Sequence, residues 1–209
     1  ANKVLLTASA LKDEKIMEKL EAFVKAGGNA IVTSGFVIEA LKKWPEQLGQ
    51  LTGVSYRERT LTADEFHYNI NGNYRTAYVK SSVPVTFPSI EHRNNATWSV
   101  MNAGHGEYHE SILCYDTYGK GSLTILNVPD MPSKLYDLPQ PVLTQIRQEL
   151  DVCGVTIDGG TGISLFAYDN KSFGLYCYTW DGCTPQEFDI HVKGEVKELR
   201  RFSDGVKPM

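Results

Sequence analysis

Val4-Leu5-Leu6-Thr7 and Ala26-Gly27-Gly28-Asn29-Ala30-Ile31-Val32-Thr33-Ser34-Gly35 frame the stretch that decides the fold. Two short apolar runs suited to buried strands bracket Asp13 to Ala26. There Ile16, Met17, Leu20, Phe23 and Val24 recur at the i, i+3/4, i+7 spacing of a helix laid against a sheet. Gly27-Gly28 ends that helix, Asn29 to Thr33 follows as a strand, and Ser34-Gly35 turns it into a second helix over Phe36 to Lys43. The order β-α-β-α favours a parallel sheet with right-handed crossovers.

Working outward, the pattern over residues 45–98 is β-like at Tyr74 to Val79 and Val83 to Phe87. It is broken by Pro84, Pro88, Gly49, Gly53 and the Asn71-Gly72-Asn73 turn, which suggests strands and long loops decorating the sheet. Ser111 to Tyr115, the Tyr118-Gly119-Lys120-Gly121 turn and Ser122 to Val128 form an antiparallel hairpin. Pro139 and Pro141 open a helix through Val142, Leu143, Ile146 and Leu150 that Gly154 ends. Beyond Val155 four alternating segments, Ile163 to Tyr168, Phe173 to Thr179, Glu187 to Val192 and Glu195 to Phe202, read as a meander of strands. The expected organisation is an α/β domain over residues 1–155 and a small antiparallel β domain over 156–209, the second too small to stand without a neighbour.

Composition narrows the function. With 209 residues, 42% of them hydrophobic and 22% charged, the chain has material for a real core. A net charge of −4 with no basic cluster beyond Lys42-Lys43 and Arg200-Arg201 argues against nucleic acid as a partner. No apolar run approaches the roughly 20 residues of a membrane helix, so no membrane partner is expected. The four cysteines, Cys114, Cys153, Cys177 and Cys183, form no C-x-x-C pair. Unpaired thiols favour a cytoplasmic setting. In an oxidising compartment, reached behind a removed signal peptide, Cys177 and Cys183 could bridge a hairpin. The missing initiator Met suggests a processed or excised segment.

Candidate chemistry concentrates in few places. Ser34 lies at a strand-to-helix turn, where open α/β sheets place ligands, but G-x-S-x-G is absent and a helix N-cap is the competing role. His105, Glu107 and His109 would share one face of a continuous strand and could hold a metal ion; the same residues also make a solvated polar loop. Asp130 follows a strand end, where an acid catalyst or a simple turn former would stand, and together with His105 and His109 would serve a hydrolase. Tyr168, Phe173, Tyr176, Tyr178 and Trp180 supply either a sugar-binding platform or the core of a small β domain, with Tyr176, Tyr178 and Trp180 on one side of their strand. Nothing in the sequence calls for a cofactor.

The N-terminal β-α-β-α run, together with Tyr118-Gly119-Lys120-Gly121 and the strand ending Asn127-Val128-Pro129-Asp130, resembles the flavodoxin-like, class I glutamine amidotransferase-like domain known as the trimerisation domain of bacterial β-galactosidases and related glycoside hydrolases. The β tail resembles the small β domain that follows it. The resemblance implies a flavodoxin-like sheet with helices on both faces. It also implies a non-catalytic accessory or oligomerisation module, partnered by its parent catalytic domain or by copies of itself and close to carbohydrate. True amidotransferases place a nucleophilic Cys on the elbow. Position 34 is Ser, so no catalytic residue is carried over.

Overall fold

The computed structural model describes residues 2–69, 76–92, 97–129, 131–168, 172–178 and 187–196. The chain forms two compact units, residues 1–143 and 144–209.

Unit 1 is built on a seven-stranded sheet of order β1-β2-β7-β6-β5-β3-β4. Its parallel part is confined to β1 (Lys3–Leu6), β2 (Asn29–Thr33) and β7 (Gly121–Leu126). The rest is antiparallel: β3 (Val54–Asn69), β4 (Thr76–His92), β5 (Trp98–His105) and β6 (Tyr108–Tyr118). The expected N-terminal elements appear, with α1 at Ile16–Lys25 and α2 at Ser34–Lys43. A further helix, α3 (Pro45–Thr52), stands where loop was expected.

The sheet departs from the doubly wound plan for a topological reason. From β1 to β2 to β7 the strand order never reverses, so the chain keeps moving in one direction and its right-handed connections stay on one side. Val4, Ala30 and Leu123 occupy one row across β1, β2 and β7, and Leu6, Val32 and Ile125 the next. Those rows join a single core with Leu20 and Val24 of α1, Phe36, Val37 and Ala40 of α2, and Leu48 and Leu51 of α3. Helices α1 to α3 therefore cover one face of the sheet, rather than dividing between two.

Residues 45–98 are the largest correction. They do not decorate the sheet; β3 and β4 are its longest strands and carry it to the edge. Pro84 and Pro88 are compatible with this because β4 is the edge strand. Both also sit beside register breaks, one between Tyr56 and Thr60, where Glu58 takes φ +56°, and one between Ala63 and Glu65.

In unit 2, most of helix α4 (Gln140–Leu150) is followed by β8 (Val155–Gly159), β9 (Ile163–Ala167), β10 (Phe173–Cys177) and β11 (Phe188–Val192). These strands are not a simple meander: β9 pairs with β10, while β8 pairs antiparallel with β11. Arg147 of α4 ties the β8–β9 connection, donating to Gly159 O at 2.6 Å and Gly160 O at 3.0 Å. The expected segment Glu195 to Phe202 lies largely outside the described residues. Among the described residues no helix is long and apolar enough to cross a membrane.

Candidate functional site

The segment around His105 and His109 is a hairpin, not one strand. Gly106 at φ +62° and Glu107 form the two-residue turn between β5 and β6, which pairs His105 with Tyr108 and Gly104 with His109. Successive rungs of a ladder point to opposite faces, so the two histidines part company. His105 points with Asp64, its Nδ1 2.7 Å from Asp64 Oδ1. His109 points to the other face. Glu107 stays at the turn, and the expected metal triad is not assembled; among the described residues no group of three His, Cys, Asp or Glu side chains is placed to hold a metal ion.

His109 has its own company. Lys80, Glu65, Gly104 and His109 form one row across β4, β3, β5 and β6, and Tyr78, His67, Asn102 and Ser111 form the next. Gly104 is what lets the first row close. A Cβ there would overlap the His109 ring and the Tyr108 carbonyl, so the bare position allows the ring to reach across β5 toward β3. The ring meets His67 edge to face at 4.6 Å between centroids, and its Nε2 stands 3.6 Å from Glu65 Oε2, beyond hydrogen-bond range. Glu65 is held by Lys80 at 2.8 Å, which keeps its carboxyl below the usual range, with a smaller contribution from the Tyr78 hydroxyl. Lys80 is raised in turn. This network neutralises its own charges and leaves Glu65 ionised, the opposite of what a general acid needs.

The other nominated residues have structural duties. Ser34 is buried; its Oγ donates to Val128 O at 3.3 Å and accepts from Val128 N at 3.1 Å. The α2 cap is the preceding Thr33, which accepts from Phe36 N. Cys114 Sγ lies 3.4 Å from His92 Nε2, but burial pushes the thiol up to about 12 and lowers His92, so neither ionises as a thiolate–imidazolium pair requires. Glu110 accepts from Ser89 and from Tyr108, and Asn127 donates to Pro88 O at 2.7 Å, fastening β4 to its neighbours. Asp130, Trp180 and Cys183 lie outside the described residues.

The aromatics of unit 2 are on the surface. Tyr168, Tyr176 and Tyr178 are each more than half exposed, as is Phe166, which the sequence did not single out. Phe173 is half-buried on the opposite face of the ladder. Sequence reasoning also missed Asp64, Glu65, His67 and Lys80. β3 and β4 pair antiparallel, which sets Glu65 against Lys80 and His67 against Tyr78; the expected Asn71-Gly72-Asn73 turn lies outside the described residues.

No protein-family model matches the chain, and no curated protein sequence does. Partial structural likenesses exist. A cytoplasmic protein from Salmonella typhimurium LT2 superposes with TM-score 0.44 at 9% identity, over 63% of this chain and 62% of that one. A GH42 β-galactosidase from G. stearothermophilus gives 0.44 at 18%, and a β-galactosidase from Rahnella sp. R3 gives 0.39 at 16%, each over 78% of this chain. The chain spans 24% of the length of each of those β-galactosidase chains. At this level of likeness neither family nor activity follows.

Proposed function

We propose that the chain is a non-catalytic accessory module, the C-terminal part of a larger carbohydrate-active protein, acting through the surfaces it presents to its parent catalytic domain or to a second copy. The observation that carries this reading is one rung of the sheet in unit 1. Leu5, Ile31, Thr124, Tyr115 and Trp98 form a row across five strands on the face opposite α1 to α3. At its far end Trp98 is 58% exposed and Tyr115 37%. A Trp–Tyr pair standing in water on a sheet face is the residue chemistry that protein interfaces use as anchors. The engagement of Ser34, Cys114 and Glu65 in structural bonds supports the absence of a reaction centre. The sequence resemblance supports a glycoside hydrolase as the parent and an amidotransferase-like ancestry for the β-α-β-α start.

Light scattering of the full chain over a concentration series, alone and with the parent catalytic domain, tests it. The expected result is self-association or a stable complex, weakened about tenfold or more by Trp98→Ala. A wild-type chain that stays monomeric and ignores that domain overturns the reading.

A further inference from the structure

The two-stranded ladder β9–β10 sets rings against small residues along one face. Its even-numbered positions share one face, and the register sets each aromatic against a small residue: Phe166 against Gly174, and Tyr176 against Ser164. The flanking bonds Tyr168 N to Ser172 O and Tyr178 N to Gly162 O extend the same alignment by one rung at each end. Four successive rungs therefore each hold one ring and one Gly or Ser. Successive rungs are about 7 Å apart, so the rings step along about 20 Å. A Cβ at Gly174 would make ordinary van der Waals contact, 4.0 Å from both Phe166 Cβ and Tyr168 Cε2, so these two neighbours lie beside that position.

The rings of this face are exposed: Tyr176 59%, Tyr168 56%, Phe166 54% and Tyr178 51%. It is also uncharged, because residues 162–168 and 172–178 contain no Asp, Glu, Lys, Arg or His. Three of its rings bear hydroxyls, and Ser164 and Ser172 add two more. Covering such a face with a purely apolar surface would strip water from the hydroxyls of Tyr168, Tyr176 and Ser164 without replacement. A partner that fits is elongated, uncharged, apolar on its broad side and hydroxyl-rich at its rim. A chain of pyranose rings has that chemistry.

We propose that this ladder is a binding platform for a neutral polysaccharide, lying along β9–β10 with its sugar rings over Tyr168, Phe166, Tyr176 and Tyr178. The proposal rests on the reading of the chain as a non-catalytic accessory module and adds a ligand class for a second surface.

The test is affinity electrophoresis of the full chain in gels containing soluble β-glucan, β-mannan or galactan, with polyanionic alginate as the charged comparison. Retardation by at least one neutral glycan and not by alginate is expected. Binding should weaken about tenfold or more in Tyr176→Ala and in Phe166→Ala, both exposed sites whose variants keep the wild-type circular dichroism. No retardation by any neutral glycan, or retardation unchanged in both variants, overturns the proposal. So does a loss of self-association in Tyr176→Ala, which would make the face a protein interface. Trp98→Ala should bind glycan as wild type does, so this proposal and the accessory reading can fail separately.

Discussion

Ser34 and Val128 are bonded twice, the hydroxyl donating to the carbonyl and accepting from the amide of the same residue, 94 positions away. The pair pins the start of α2 to the segment just past β7, where a nucleophile would otherwise need freedom to reach a substrate. Ser34→Ala leaves both backbone groups short of a partner and should cost about 1–3 kcal/mol in a urea titration. A serine-directed fluorophosphonate should leave the wild-type chain unlabelled. An unchanged midpoint, or labelling at Ser34, contradicts the structural role.

Gly104 and Gly106, two residues apart, should respond for different reasons. At Gly104 a methyl group meets the His109 ring and the Tyr108 backbone, so Gly104→Ala forces strands to shift and should cost about 1–3 kcal/mol. At Gly106 nothing lies within 4 Å, and Gly106→Ala should cost about 1 kcal/mol through its positive φ alone. Denaturation midpoints that reverse this order would remove the argument that Gly104 admits the His109 ring.

Stability should depend on pH in opposite senses through two histidines. Burial depresses His92 from 6.5, so the unfolded chain binds the extra proton and stability is lost as pH falls below about 6.5 toward the folded value. Asp64 raises His105, so its contribution is present in full below 6.5 and is lost as pH rises through the folded value. Stability measured against pH should lose the acid-side fall in His92→Gln, and in His105→Gln the stabilisation present below 6.5 together with its decline as pH rises. An unaltered profile in either variant would show that the cause given for its shift, burial for His92 and Asp64 for His105, is wrong.

In unit 2 the forked donation of Arg147 to Gly159 and Gly160 cannot be copied by an ammonium. Arg147→Lys should cost about 1–3 kcal/mol and speed amide exchange along β8 and the start of β9. Protection equal to wild type there would mean that the guanidinium is incidental.

The sequence made the start of the chain readable because each element there obeys one rule: apolar residues at helical spacing between two strands with apolar centres. Ile16 to Val24 and Asn29 to Thr33 needed no tertiary information. The hairpin about Gly119-Lys120 was equally plain and is present as β6–β7. Residues 45–98 were opaque because proline ordinarily argues against strand, and only knowledge that β4 is an edge strand makes Pro84 and Pro88 compatible with one. Strand order was hidden for the same reason: local patterns mark β1 and β2, but whether the next parallel neighbour lies back across β1 or onward at β7 is decided by long-range packing. A continuous strand would put His105 and His109 on one face, whereas the turn at Gly106 makes a hairpin that sends them to opposite faces. The exposure of Tyr176 and Tyr178 could not be read at all, since period-two alternation is the same for a face turned to water and a face turned inward.

The edge made by β4 decides the manner in which other molecules can approach the sheet. Proline lacks an amide hydrogen, and the two register breaks interrupt the repeat that an incoming strand would have to match. Lengthening of the sheet by a neighbour's strand is discouraged at that border. At that border an approach through side chains is favoured over strand addition, as when tiles are stacked rather than laid end to end, and a partner found there should leave the backbone pairing of β4 as it stands.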